Sequence, residues 1–82
     1  QKLKYEDTRV HTLKVGQNSG VLGKTLAELD RDNRFGVVLL AFRHNQTTTT
    51  IPPATTTIEP GDELIIFASD EHLEQLSDLL SG

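Results

Sequence analysis

The 82-residue chain contains no cysteine, methionine or tryptophan, and its aromatics amount to one tyrosine and three phenylalanines. Without cysteine there is neither a disulfide staple nor a thiolate metal site, and a cytosolic or otherwise reducing setting is compatible with that lack. Positive charge is scarce as well: 8 Lys and Arg stand against 12 Asp and Glu, for a net charge of −4. The cations are spread thinly, so no basic stripe exists to neutralise several phosphates in a row, which argues against nucleic acid as a partner. A long apolar run is missing too. Val37 to Phe42 falls far short of the roughly 20 residues a membrane helix needs, and no charged-then-apolar signal segment opens the chain. The expectation is a soluble chain with no direct membrane insertion.

A single domain of this size buries about 60–65% of the surface its unfolded chain exposes and is marginal alone. With no disulfide to help, an interface shared with a second copy is a natural source of stability. The opening QKLKYEDTRV is charged and starts without Met. It reads as the end of a preceding region, so residues 1–8 are taken as an extension or linker and residues 9–82 as one domain.

From Arg9 the stretch RVHTLKV alternates, with His11, Leu13 and Val15 on one side and Val10, Thr12 and Lys14 on the other, as in a half-buried strand. The turn-forming GQNSG follows. Leu22, Leu26 and Leu29 then fall at i, i+4 and i+7, one face of a short helix that ends near Asp32-Asn33. Its TLAE start fits a capping box between Thr25 and Glu28. After Gly36, VVLLAFR is continuous enough to predict a central strand covered on both faces or nearly so. The polar turn Arg43-His44-Asn45-Gln46 leads into TTTTI, whose β-branched residues suit an edge strand. Pro52 and Pro53 lack N–H donors and stop the ladder. Ile58-Glu59-Pro60-Gly61-Asp62 has Pro and Gly where a type II turn places them, and Glu63 to Ala68 reads as a further apolar strand. Ser69-Asp70-Glu71 opens a closing helix whose Leu73, Leu76 and Leu80 form its apolar stripe. The order strand, helix, three strands, helix predicts an α+β fold, a mainly antiparallel sheet with both helices on one face.

Little of this carries chemistry. Gly23-Lys24-Thr25 resembles the end of a phosphate-binding P-loop, but the glycine that motif requires five residues earlier is Asn18 here. A helix N-terminus with a lysine in its first turn accounts for it. His11, His44 and His72 are widely separated, a spacing that supports no metal site and suits surface or rim positions. Asp30, Asp32, Glu59, Asp62 and Glu63 are read as caps and turn residues rather than as an acid–base pair, and no catalytic residue is assigned. Arg43 and His44, at the end of a strand, are the better candidates for holding a small anion.

Taken in order, Leu22-Gly23-Lys24-Thr25-Leu26-Ala27-Glu28-Leu29, Arg34-Phe35-Gly36-Val37-Val38, Ala41-Phe42-Arg43, Ile51-Pro52, Ile58-Glu59-Pro60-Gly61-Asp62-Glu63-Leu64 and the closing helix resemble the TrkA C-terminal, or RCK-C, domain family from about residue 9 to 82. The resemblance implies a non-catalytic regulatory module of potassium or related cation transport that pairs as a homodimer. It also implies a membrane channel or transporter subunit as partner, a cytoplasmic location in a membrane-associated complex, and in many members an upstream RCK-N lobe. In some members a ligand, cyclic di-AMP or another nucleotide, sits at the dimer interface. Carried onto this chain, that pocket is formed by Asp30, Arg31, Arg34, Val37, Val38, Leu39, Pro52 and Pro53. Where ligand-binding members tend to have an apolar residue and then Arg, this chain has Arg31 and then Asp32, which leaves Arg31 or Arg34 to meet a phosphate. The alternative implied is a pure dimerisation module with no small-molecule ligand.

Overall fold

The computed structural model describes residues 7–33 and 36–82. Arg34, one of the expected pocket residues, therefore lies outside the described residues, as does the start of the presumed linker. Six elements follow one another: β1 (Thr8–Lys14), α1 (Leu26–Asn33), β2 (Val38–His44), β3 (Thr47–Thr50), β4 (Glu63–Ser69) and α2 (Asp70–Leu80). The strands form one sheet in the order β1-β4-β2-β3, with every neighbouring pair antiparallel. This is the expected α+β arrangement.

The period-2 pattern of β1 and β4 puts His11, Leu13, Leu64, Ile66 and Ala68 toward the covered side, where Leu64, Ile66 and Ala68 are buried. Leu76 and Leu80 of α2, Leu26 and Leu29 of α1, and Val15, Val21, Phe42 and Ile58 complete the same core. Ser69 caps α2, its hydroxyl accepting the His72 N–H at 3.5 Å, and the helix ends at Leu80 with the Ser81 N–H bonded to Ser77 O.

The loop after β1 exists to receive that helix end. Gly16 N–H donates to Leu80 O at 2.8 Å, and the buried Ser19 hydroxyl donates to Leu79 O at 3.0 Å. Carbonyls that a helix C-terminus leaves without intrahelical partners are satisfied there. A Cβ on Gly16 would lie 2.5 Å from Gly82 O, so the close approach requires glycine.

β2 corrects one expectation. Its apolar run is not covered on both faces: Val38 is 53% and Leu40 39% exposed. Continuity of the apolar run does not report two-sided burial here: Val38 pairs with Phe67 on the face opposite the buried Ile66, and the register shift between Leu39 and Ala41 leaves Leu40 without a partner on β4. The Asn45-Gln46 turn has positive φ at both residues, 48° and 68°, as a tight two-residue hairpin requires.

Candidate functional site

The threonine segment is tied to the start of α1. Leu26 N–H donates to Thr56 O and Ala27 N–H to Ala54 O, both at 3.0 Å, while Ile58 N–H donates to Lys24 O at 2.8 Å. Thr25 and Glu28 form the expected capping box: Glu28 N–H donates to Thr25 Oγ1 at 3.1 Å and Thr25 N–H to Glu28 Oε1 at 3.2 Å. The first amides of α1 thus all find acceptors inside the protein. The Gly23-Lys24-Thr25 loop is equally occupied, because Gly23 N–H donates to Ile58 O and Lys24 N–H to Val21 O. No amide of that loop is left to cradle a phosphate.

Beside this junction α1 and the chain after β3 bound a cleft of about 350 Å³, lined among others by Leu26, Asp30, Leu39, Ile51 and Pro52. Three of the expected pocket residues, Asp30, Leu39 and Pro52, therefore meet. Val37 joins Asp30 and Leu39 in an adjoining apolar recess of about 160 Å³ between the helices and the sheet. Arg31 is exposed at the outer side of α1, with its Nε 3.2 Å from Asp32 Oδ1. Val38 points elsewhere, into a hollow with Gly36 and His72. Pro53 lines a separate groove on the threonine side.

Sequence reasoning passed over Ile51. This residue is 88% exposed and has φ at 49°, a conformation that is an outlier for a β-branched side chain. In the sequence Ile51 stands as the end of a threonine strand and within the Ile51-Pro52 pair of the family pattern, neither of which marks it as exposed.

The two anion candidates are both faced by carboxylates. Arg43 Nε lies 3.5 Å from Glu63 Oε1. His44 Nδ1 is 2.6 Å from Asp62 Oδ1, and its Nε2 is 3.5 Å from Glu59 Oε2. The hydrogen bond to Asp62, and then the charge of Asp62, hold the His44 pKa above its ordinary value; desolvation opposes this, and Glu59 adds to it. Asp62 is itself buried. Its Oδ2 accepts the Glu59 N–H at 2.8 Å, and its N–H donates to Glu59 O at 3.2 Å across Pro60 and Gly61, the latter at φ 85°. The predicted type II turn is present, with a buried carboxylate stitching it shut. His11 and His72 are half-buried; among the described residues His11 Nε2 has no hydrogen-bond partner, and it lies 3.9 Å from Asp70 Oδ1.

Residues 10–81 match the TrkA-C domain. The chain belongs to the TrkA-C domain family. Along nearly its whole length it is 32% identical to the K(+)/H(+) antiporter subunit KhtT of Bacillus subtilis (strain 168), and it spans about half the length of that protein, covering 50% of it. Among solved structures it resembles the RCK_C domain dimer of S. agalactiae BusR in complex with c-di-AMP, with a TM-score of 0.77, 21% identity, and coverage of 87% of this chain and 93% of that one. The RCK C domain of the potassium transport protein KtrA in complex with c-di-AMP matches at a TM-score of 0.76 and 20% identity, covering 89% of this chain and 84% of that one. At these identities the structural likeness establishes the fold. The cleft beside α1 joins three of the eight expected pocket residues, Asp30, Leu39 and Pro52, and the His44 cluster lies outside it.

Proposed function

We propose that this TrkA-C domain is a non-catalytic, ligand-sensing module of a potassium or related cation transport system. It works as a cytoplasmic homodimer, with a cyclic dinucleotide, cyclic di-AMP first among them, held where two copies meet. One observation carries the reading: the cleft that joins Asp30, Leu39 and Pro52 is bordered by Ile51, which projects an apolar side chain into solvent. A strained β-branched residue costs on the order of 1–3 kcal/mol, and exposing its side chain adds to that cost. A second copy covering Ile51 removes the exposure. Binding at such an interface biases the relative orientation of two protomers, which an attached channel or transporter subunit reads as gating. In this reading residues 9–82 are the module and residues 1–8 lead from a preceding region, an RCK-N lobe or a membrane-protein segment. The net charge of −4 supports reading the module itself as having no nucleic-acid face.

The assembly-only alternative has its own support. Among the described residues Asp32 engages Arg31 at 3.2 Å and Lys24 Nζ at 3.8 Å, and Asp30 adds a further negative charge at the cleft. A phosphate arriving there meets carboxylates before it meets a free guanidinium.

Sedimentation at tens of micromolar protein decides the shared premise: a dimer is expected, and a monomer overturns both readings. Titration calorimetry with cyclic di-AMP then separates them. Saturable heat that is lost in Ile51→Asp supports ligand sensing at the interface, whereas no heat with cyclic di-AMP or other nucleotides leaves assembly alone.

A further inference from the structure

The cluster at the far end of the threonine segment has a geometry that hydrogen bonding alone does not require. His44 closes β2, while Glu59 and Asp62 sit at the two ends of the type II turn. One ligand atom from each of the three lies within 4.8 Å of the others. The roles within the cluster differ. Asp62, with its side chain only 3% exposed, accepts the hydrogen bond of His44 Nδ1–H at 2.6 Å and is anchored by the Glu59 N–H. A carboxylate so placed fixes the ring and leaves the Nε2 lone pair pointing outward, as the supporting carboxylate of a metal-bound histidine does. On that outward side stand Glu59 Oε2 at 3.5 Å and the Asn45 side-chain amide at 3.3 Å.

We propose that His44 Nε2 and the Glu59 carboxylate form a binding site for a divalent first-row transition-metal cation, best matched by Zn2+, with Asp62 orienting the imidazole. Nitrogen and oxygen ligands at about 2.0–2.2 Å from a tetrahedral Zn2+ stand about 3.4 Å apart. The 3.5 Å between His44 Nε2 and Glu59 Oε2 matches that edge. A half-turn of the Asn45 amide brings its oxygen to the same point as a third donor. The position left over opens into a groove of about 630 Å³ whose walls include Thr47, Thr49 and Thr57, room enough for water or a small oxygen ligand. Such an ion joins the β2–β3 turn to the turn before β4 and so fastens both ends of the threonine segment. The site is separate from the cleft beside α1 and does not depend on a cyclic dinucleotide binding there.

Calorimetric titration of the chain with ZnCl2 at pH 8, after EDTA treatment and its removal, tests this. One Zn2+ per chain is expected, with a rise in melting temperature. His44→Gln should abolish saturable binding, Glu59→Gln should weaken it at least about tenfold, and Asp62→Asn by about 10–100-fold. His72→Gln serves as the control and should bind like the parent. Circular dichroism confirms that the exposed-site variants His44→Gln and Glu59→Gln remain folded, so a failure to bind is not a failure to fold. Absence of saturable Zn2+ binding by the parent chain overturns the proposal, as does an affinity unchanged in His44→Gln and Glu59→Gln.

Discussion

The side of the molecule built by α2, β1 and β4 and the threonine segment after β2 are held by different forces. On the first side, apolar residues interlock: Ile66, Leu64, Leu76 and Leu80 are almost completely removed from water. In the second, Thr47–Thr50 and the residues after them are largely exposed, and order comes from backbone groups. Thr56 O and Ala54 O accept the first amides of α1, and an isolated bridge pairs Thr25 with Thr57. The difference teaches that a stretch with the composition of a flexible stalk can still be structural, provided its carbonyls meet donors that would otherwise go unpaired.

Three substitutions probe that contrast, and the largest effect belongs to the packed side. Ile66→Ala leaves a cavity where Ile66 faces His11 and Leu39 across the sheet, and about 2–5 kcal/mol of stability should be lost in urea unfolding. A loss below about 1 kcal/mol would mean that the core relaxes around the gap and that apolar burial is not what distinguishes this side.

Thr25→Ala acts where the threonine segment meets α1. Removing the capping hydroxyl that accepts the Glu28 N–H should cost about 1 kcal/mol. Amide hydrogen exchange should show Leu26 and Ala27, whose acceptors lie in the segment, losing protection in this variant while Ile66 keeps it. Equal loss at all three would make the segment and the core one cooperative unit.

The smallest effect is the pH response of His44, because its side chain remains well exposed. Its pKa in the folded chain is raised by Asp62, so the protonated form is the one folding favours. The pairing stabilises fully below the unfolded value of about 6.5 and is lost as pH rises through the higher folded value. Urea midpoints measured in EDTA above pH 5.5 should therefore show the advantage of the parent chain over His44→Gln shrinking as pH increases. An advantage that grows with pH would contradict the charge arrangement at this turn.

Much of the fold was legible in the chain itself. The alternation of β1, the capping boundary at Thr25, the type II turn at Pro60-Gly61 and the Ser69 cap each rest on local backbone or side-chain preferences, and local preferences survive tertiary packing when nothing opposes them. β2 read as more buried than it is, because an apolar run cannot reveal that the sheet face at Val38 stays open or that a bulge leaves Leu40 without a partner on β4. Of the site, the residues that meet in the cleft were reached through resemblance to a family. Ile51 was not reached, because its exposure depends on a backbone conformation no residue type announces.

The sequence by itself determined where the elements start and stop, since caps, turns and periodicity act over a few neighbouring residues. It also determined that no disulfide holds the chain, since it has no cysteine. Only the tertiary structure decided what the threonines are for and what His44 faces. Those depend on segments distant along the chain coming together: Ala54 and Thr56 against the start of α1, and Glu59 and Asp62 against the end of β2. Sheet closure creates both meetings by bringing β4 alongside β2.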